Sequence, residues 1–313
     1  MTAQSLQAQA QDIARLEADG QMPFKSQSLL QTALRRLRKD YLTLFALGTL
    51  SLLTLLAVFA PQIEDLYDVS YTRPNAQAQL LPPGADGHPL GTDNLGRDIL
   101  ARLLYGGRVS LFIGISAAIF STMLGVTLGL ISGYYQGGPL TFIDDFIMWF
   151  ITTLNSIPTL LLLILLTSVL RPDISTLIAV LTIVTWTGTM RLIRGEAMVA
   201  REQEYIVSAR AMGASALRIM FVHILPNTIS VLVTSLAIQV GSIILIESAL
   251  SFLGLGVRPP EPSWGNMLTQ AQAYFRQAPH MSIFPGIMIV ITVLSLYLIG
   301  DGLRDAFDPR SRK

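Results

Sequence analysis

The residues that could carry acid–base or metal chemistry are few and scattered. Asp144 and Asp145 are adjacent carboxylates where an apolar run begins. Neighbouring side chains on a helix diverge, so this pair is better explained by the attraction of acidic groups to a helix N-terminus. Three separated histidines, the absence of cysteine and the absence of a Gly-Lys-Ser/Thr phosphate loop indicate neither a metal site nor an ATP site. No convergent nucleophile, metal or acid pair supports a membrane enzyme.

Two further features of the apolar runs concern transport rather than catalysis. Glu247 lies inside a membrane-length run, where an acid usually faces the bundle interior or an aqueous cavity and has a partner. It is either a gate or pathway residue or a helix-to-helix hydrogen bond, and the second interpretation is slightly favoured. Asn155 and Pro158 interrupt another run, which predicts a kink and a candidate pathway lining.

The composition is that of a membrane protein. Of the 313 residues, 51% are hydrophobic and 14% are charged, and the mean hydropathy is +0.52. These values fit a polytopic membrane protein better than a soluble domain. No feature indicates binding of nucleic acid, and the lipid bilayer is the expected environment.

Six apolar runs of spanning length predict an all-α bundle of six transmembrane helices. The predicted spans are 41–60, 109–131, 144–170, 176–193, 229–255 and 283–299. A polar arm fills 1–40, with an amphipathic surface helix at 26–39. A polar loop fills 61–108, a five-helix core 109–300 contains the polar loop 194–228, and a charged tail fills 301–313. A cleaved signal peptide is the alternative for 41–60, but the long arm before it and Pro61 after it argue against cleavage.

The distribution of basic residues predicts the orientation. Both termini and the 191–218 loop lie on one side of six spans, and that side holds fifteen of the 22 Lys and Arg residues. The excess marks this side as cytoplasmic, so both chain termini are predicted to be inside.

The segment Glu204–Asn227 within that loop predicts a short rigid helix held outside the bilayer. Glu204–Met212 has good helix formers, with Tyr205, Ala209 and Met212 on one face. Gly213 is expected to end this helix in a left-handed conformation, and Ser215 is expected to cap the next one. Pro226 enters the following apolar span near its first turn.

This segment resembles the cytoplasmic loop of the membrane subunits of binding-protein-dependent ABC importers. The family pattern is Glu-Ala-Ala, three residues, Gly, nine residues, Ile, one residue, Leu-Pro. Ala209, Gly213, Leu225 and Pro226 match in register. Val207, Ser208 and His223 stand where the family has Glu, Ala and Ile.

Other motifs are similar to the oligopeptide/dipeptide/nickel branch of the same family. The most specific one runs from His88 to Arg108, H-P-L-G-T-D-N-L-G-R-D-I-L-A-R-L-L-Y-G-G-R. Within it Asp93, Arg97 and Asp98 are candidates for fixing an outer loop by mutual pairing, and 98–105 is predicted to be a short helix. Similar stretches occur at 251–256, at 258–268, where Trp264 is a candidate interfacial anchor, and at 300–310. The resemblance covers roughly residues 30 to 310.

The resemblance implies a type I ABC importer permease fold and a non-catalytic role. A second, similar permease chain, two cytoplasmic ATPase subunits and an extracytoplasmic solute-binding protein would be the partners. ATP and Mg would bind in the ATPases, and no cofactor would bind directly to this chain. The expected cargo is a peptide, with nickel chelates, glutathione and oligosaccharides as alternatives.

The resemblance also assigns candidate site residues. The helix seated in an ATPase cleft would present Glu204, Tyr205, Ser208, Ala209, Arg210 and Gly213, followed by Pro226. The rival hypothesis is a self-sufficient secondary transporter, which predicts an inverted repeat and several mid-membrane charges. No repeat is evident, and Glu247 is nearly alone.

Overall fold

A computed structural model describes residues 29–170 and 173–307 of the chain. The predicted arm at 1–25, part of the outer turn at 171–172 and the last six residues lie outside these ranges. The described residues are mainly helical and form no strand, with two isolated β-bridges, Ala85 to His88 and Thr92 to Asp98.

Eleven α-helices can be traced through the described ranges. They are α1 Leu29–Leu37, α2 Tyr41–Val58, α3 Ala60–Tyr67, α4 Ile99–Tyr135, α5 Thr141–Asn155, α6 Thr159–Leu170, α7 Ile174–Arg201, α8 Glu204–Ala211, α9 Ala216–Phe252, α10 Trp264–Ala271 and α11 His280–Phe307. Two short 3₁₀ turns, Ala76–Ala78 and Gln272–Tyr274, lie in the loops.

Five of these helices, α2, α4, α7, α9 and α11, are long and apolar enough to cross a membrane. The remaining predicted span, the third in the chain, is divided between α5 and α6, whose axes differ by 83° at the break. With the bent pair counted as one span, the predicted six-span all-α architecture is confirmed. The chain is therefore a multi-pass membrane protein.

Helix α4 is longer than predicted. The short outer helix expected at 98–105 and the span expected at 109–131 form one helix of 37 residues. Asp98 caps its start, because its side chain accepts a hydrogen bond from the Ala101 amide. Gly106 and Gly107 do not break the helix, since each costs only about 1 kcal/mol relative to alanine in a helix interior.

The most extensive helix contact in the bundle is between α4 and α7. Gly125, Gly129 and Gly133 lie on one face of α4, four residues apart. A Cβ atom at any of them would come within 2.8 Å of a backbone carbonyl oxygen of α7. The three glycines therefore allow the two backbones to approach, as small residues do between membrane helices. The main core forms around this pair, with α9 and α11 packed against it.

The N-terminal helix α1 packs against the end of α11. Ala33 is buried. The Arg36 Nη1 donates hydrogen bonds of 3.5 Å to the carbonyls of Asp305 and Ala306. Asp40 then caps α2 by accepting from the amides of Leu42 and Thr43.

Candidate coupling surface and buried polar sites

The short helix between α7 and α9 has the local structure that the sequence predicts. Helix α8 ends at Ala211, and Gly213 has a φ of +84°, the left-handed region that favours glycine. The Gly213 amide donates to the Arg210 carbonyl, and the Ala214 amide donates to the Ala209 carbonyl. The Ser215 side chain accepts from the Arg218 amide and caps the next turn.

One face of α8 is anchored in the membrane bundle. Ile206 has no exposed surface, and Ala209 is 6% exposed. Ile206 belongs to an apolar cluster contributed by α4, α7, α8 and α9. Its buried members are Val126, Leu130, Ile193, Ala197, Ile206, Ile219, Met220 and Ile224. Displacement of α8 must therefore disturb the ends of three membrane helices.

The rest of the surface of α8 is open. The exposed residues include Glu204, Tyr205, Val207, Ser208, Arg210 and Met212, and Met212 is 82% exposed. Tyr205, Ala209 and Met212 do share a face, but only Ala209 is buried. An exposed surface of mixed apolar and charged residues on an anchored helix is the form of a protein-docking site.

Helix α8 is also linked to the turn between α4 and α5. The Arg210 guanidinium lies 5.6 Å from the centre of the Tyr134 ring, within cation–π range. The Arg201 Nη1, at the end of α7, donates to the carbonyls of Tyr134, at 3.3 Å, and of Gln136. The turn, the end of α7 and α8 are thereby joined.

Pro226 lies in α9 just after a π-helical segment, Ile219–Ile224. Proline has no amide hydrogen and disfavours the regular hydrogen bond to the residue four positions earlier. The wider π turn directly precedes Pro226, so the hydrogen bond that the proline cannot donate falls at the end of this turn. Within the turn the Leu225 amide donates to the Met220 carbonyl, five residues earlier. Asn227 donates to the His223 carbonyl and to the Tyr205 hydroxyl, at 3.3 Å, which ties α9 to α8.

A buried ion pair near this surface was missed by the sequence analysis. Asp144, at the start of α5, is 3% exposed and pairs with Arg194 of α7. The Arg194 Nε lies 2.7 Å from Oδ1, and its Nη2 lies 2.8 Å from Oδ2. Ser132 of α4 donates to the same carboxylate. The signal available in the sequence was an acid at the start of one span and an arginine at the end of the next, which places both on the same side of the membrane.

Glu247 is completely buried in α9. Its Oε1 accepts a 2.7 Å hydrogen bond from Ser251, and its Oε2 accepts a 3.4 Å bond from Ser110 of α4. Ser110 also accepts from the Trp264 amide. The carboxylate faces no open space in this conformation, so the geometry favours the helix-to-helix hydrogen bond over the gate.

Trp264 does not act as the predicted interfacial anchor. It is 2% exposed and begins α10, where its Nε1 donates to the Leu103 carbonyl at 3.0 Å. Its ring lies against Gly107, where a Cβ atom would be 2.8 Å from the ring. The prediction was wrong because the outer loop folds back onto α4, and the two adjacent glycines provide the space.

The candidate outer-loop residues form a compact network. The Arg97 Nε lies 2.8 Å from the Asp93 Oδ2, and the Arg97 Nη2 donates to Gln270 of α10 at 3.0 Å. Asp98 does not join this pair; it caps α4 and contacts the His88 Nδ1 at 2.7 Å. The pairing therefore holds the loop before α4 against α10.

Tyr71 is in the same outer region, and its ring stacks on that of Tyr105 with the centres 3.9 Å apart. Burial raises the pKa of Tyr71, and the negative charges of Glu261 and Glu64 raise it further. Tyr71 therefore remains a neutral, hydrogen-bonding side chain at neutral pH.

Asn155 and Pro158 mark the break between α5 and α6. Both are exposed in the isolated chain, and the Asn155 Oδ1 accepts a 3.5 Å hydrogen bond from Thr187 of α7. A polar, exposed break within a span requires protein or water beside it.

Among the described residues, no group of three or more His, Asp or Glu side chains could hold a metal ion.

The bent third span, the other five long apolar helices and the all-helical bundle are those of a polytopic helical membrane protein, and the comparisons with known proteins identify its class. The model of the family "binding-protein-dependent transport system inner membrane component" matches residues 125–313, and that of the "N-terminal TM domain of oligopeptide transport permease C" matches residues 28–83. The chain belongs to the family of binding-protein-dependent transport system inner membrane components.

Three named transport proteins can be aligned with most of the chain. The oligopeptide transport system permease protein OppC of Bacillus subtilis is 38% identical over 92% of each chain. The dipeptide transport system permease protein DppC of Alkalihalophilus pseudofirmus is 38% identical over 90% of each chain. The glutathione transport system permease protein GsiD of Pectobacterium atrosepticum is 42% identical over 72% of this chain and 74% of its own.

Proposed function

We propose that this chain is a permease subunit of an ATP-driven peptide importer. Its oligopeptide and dipeptide relatives match along about nine tenths of both chains, which supports a peptide as the cargo. The glutathione relative covers a shorter part of the chain but is 42% identical there. Glutathione is therefore the second candidate cargo, and it is itself a small peptide.

The family membership supports a set of partners. They are a second, similar permease subunit, two cytoplasmic ATPases and an extracytoplasmic solute-binding protein. ATP and Mg bind in the ATPases, and this chain contributes the pathway and the coupling rather than catalysis. Both termini lie in the cytoplasm, as the distribution of Lys and Arg predicts.

The observation that carries the coupling role is the two-sided environment of α8. Ile206 and Ala209 anchor it in the bundle, whereas Glu204, Tyr205 and Arg210 are exposed. We infer that the exposed face sits in an ATPase cleft and that Gly213 and Pro226 fix its ends. Closure of the ATPases would move α8 and, through the cluster around Ile206, shift the bundle between two conformations.

The break between α5 and α6 is the proposed pathway lining of this chain. Asn155 and Pro158 are exposed there, whereas the other candidate, Glu247, is enclosed. A second permease subunit would complete the pathway on the open side. Asp93, Arg97 and Asp98 would support the outer loop that meets the binding protein.

The deciding experiment is purification of the tagged chain in mild detergent with its co-purifying proteins. The expected result is recovery of a second permease and ATPase subunits, with ATP hydrolysis stimulated by the peptide-loaded binding protein. Glutathione added in place of the peptide separates the two candidate cargoes. Recovery of this chain alone, under conditions where a control importer stays intact, would contradict the proposal.

A further inference from the structure

One continuous seam runs along the contact between α4 and α7. On α7 its residues recur at spacings of four and three, which places them on one helix face. They are Ser175, Ala179, Ile183, Trp186 and Met190. On α4 the spacing is four, through Phe120, Leu124 and Leu128.

The inner half of this seam is covered by α5. Ile151 is buried against Trp186 and Met190, and Ile147 packs on the same cluster. After Asn155 the chain turns by 83°, and α6 packs on α7 and α9 elsewhere. The outer half of the seam is consequently left uncovered by the described part of this chain.

An open apolar groove occupies the uncovered half. Its volume is about 500 Å³. Its lining residues are Phe120, Ser175, Ile178, Ala179, Thr182 and Ile183. Phe120 is 54% exposed and Ile183 is 56% exposed. Such a surface at membrane depth needs an apolar occupant.

The groove continues outward into a second cavity with a charged rim. The two cavities share Ser175 and Ile178, and the outer one, of about 670 Å³, also meets Asp173, Arg258 and Glu261. The Asp173 carboxylate is used to cap α7 through the Thr176 amide. The side chains of Arg258 and Glu261 make no hydrogen bond or ion pair with any other residue that the structure describes.

The dimensions fit one acyl chain in one leaflet. From Ser175 to Ile183 the groove follows α7 for about 12 Å at 1.5 Å per residue. One leaflet contributes about 15 Å of hydrocarbon, half of the core of a typical bilayer.

We propose that this groove binds a phospholipid of the outer leaflet with a zwitterionic, amine-bearing headgroup. The acyl chain lies between α4 and α7 along Ala179 and Ile183. The Arg258 guanidinium receives the phosphate, and the Glu261 carboxylate receives the ammonium group, because the two side chains are exposed at the rim of the groove and carry opposite charges. The lipid thus completes the span surface that α5 leaves open where the chain turns.

The test uses the complete transporter complex and the lack of native cysteine. Met123→Cys, an exposed position on α4 about one turn from Phe120 and outside the groove lining, is labelled with a small fluorophore. The complex is then placed in vesicles of brominated phospholipids, whose bromine atoms quench nearby fluorescence. Brominated phosphatidylethanolamine should quench more strongly than brominated phosphatidylglycerol at equal mole fraction. We expect Glu261→Gln to reduce this preference by about threefold, as for one partly exposed charge pair.

Two variants control for general effects. Arg276→Gln removes an exposed outer arginine away from the groove and should leave the headgroup preference unchanged. A label at Leu294→Cys, an exposed position on α11, should be quenched without headgroup preference. Equal quenching at Met123→Cys by both lipids, unaffected by Glu261→Gln, would overturn the proposal. So would a disulfide between Ile183→Cys and a cysteine in the second permease, because the groove would then be a subunit interface.

Discussion

The Arg194 guanidinium donates two hydrogen bonds to Asp144, of 2.7 and 2.8 Å, one to each carboxylate oxygen. The pair joins α7 to the first turn of α5, and Ser132 brings α4 to the same carboxylate. Three membrane helices therefore meet at one buried acid, close to the surface that we propose for coupling. A bidentate arginine–carboxylate contact fixes orientation as well as distance.

Replacing Asp144 with Asn should lower the stability of the bundle. The amide cannot balance the Arg194 charge, whose side chain is 23% exposed, so the loss should be about 2 kcal/mol, less than for a fully buried pair. Thermal denaturation of the purified complex measures this. Asp145→Asn, in the same turn but exposed, should change little. Equal losses in the two variants would show that the pair contributes nothing specific.

Gly213→Pro should uncouple ATP hydrolysis from uptake while the protein remains inserted. Proline fixes φ near −65°, whereas Gly213 has +84°, so α8 would be redirected. The ratio of peptide uptake to ATP hydrolysis in proteoliposomes should fall by about tenfold, the effect of a misplacement worth 1.4 kcal/mol. Gly213→Asn should stay close to the original ratio, because asparagine tolerates the left-handed region. Normal uptake with Gly213→Pro would sink the coupling assignment.

Ala209→Leu should also uncouple, for a different reason. Ala209 is 6% exposed and faces the bundle, so a larger side chain lifts α8 off its seat at a cost of about 1–3 kcal/mol. The matched control is Ala273→Leu, the same substitution at an exposed alanine in the short turn after α10, away from the coupling surface. The ATPase-to-uptake ratio should rise in the first variant. Equal ratios in the two variants would show that the anchored face is assigned incorrectly.

Substitutions at Glu247 distinguish a role in helix packing from a role in the transport pathway. Glu247→Ala removes the acceptor for Ser110 and Ser251 and leaves a cavity, so the complex should lose about 2 kcal/mol of stability. Glu247→Gln keeps an acceptor and should be more stable than the alanine variant. The KM for peptide should be unchanged in both. A changed KM at unaltered melting temperature would instead identify Glu247 as a pathway residue.

The cap that Asp40 provides should make the first turn of α2 less stable at acidic pH. The hydrogen bond from the Thr43 hydroxyl, with smaller contributions from the amides of Thr43 and Leu42, lowers the pKa of Asp40 below 3.8. A lowered folded pKa contributes stability that is present above the unfolded value and lost as the pH falls through the folded one. Amide exchange at Leu42 and Thr43 should therefore accelerate below about pH 4 relative to unstructured amides at the same pH, whose own exchange slows as the pH falls in this range.

The control for this prediction is Asp40→Asn, which can still cap the helix but has no carboxylate to titrate. Exchange at the same two amides should then show no additional acceleration below pH 4. Identical pH profiles in the two proteins would exclude Asp40 as the titrating group.

Local signals in the sequence predicted much of the framework. Gly213 ends α8 in the left-handed conformation because few other residues adopt it readily. The break at Asn155 and Pro158 lies where a proline removes a helix hydrogen bond, although its 83° angle could not be predicted. The order of the apolar runs predicted the order of the membrane helices.

Features that depend on contacts between distant segments could not be predicted in this way. Asp144 and Arg194 are fifty residues apart, and the charge pattern around Asp144 was equally well explained by the helix dipole. Trp264 was predicted to face the membrane interface, as free tryptophans do. Its burial depends on Gly106 and Gly107, which lie more than 150 residues earlier.

The π-helical segment before Pro226 has a consequence for the phase of α9. One additional residue within a turn rotates everything downstream by about 100° relative to a regular helix. The inner end of α9 can therefore direct Ile219, Met220 and Ile224 at the cluster around Ile206, while the outer part directs Ile243 and Glu247 at α4 and the core. The π-helical segment therefore sets the direction of the inner contacts of α9 separately from that of its outer contacts, so the spacing of buried residues in one part need not continue into the other.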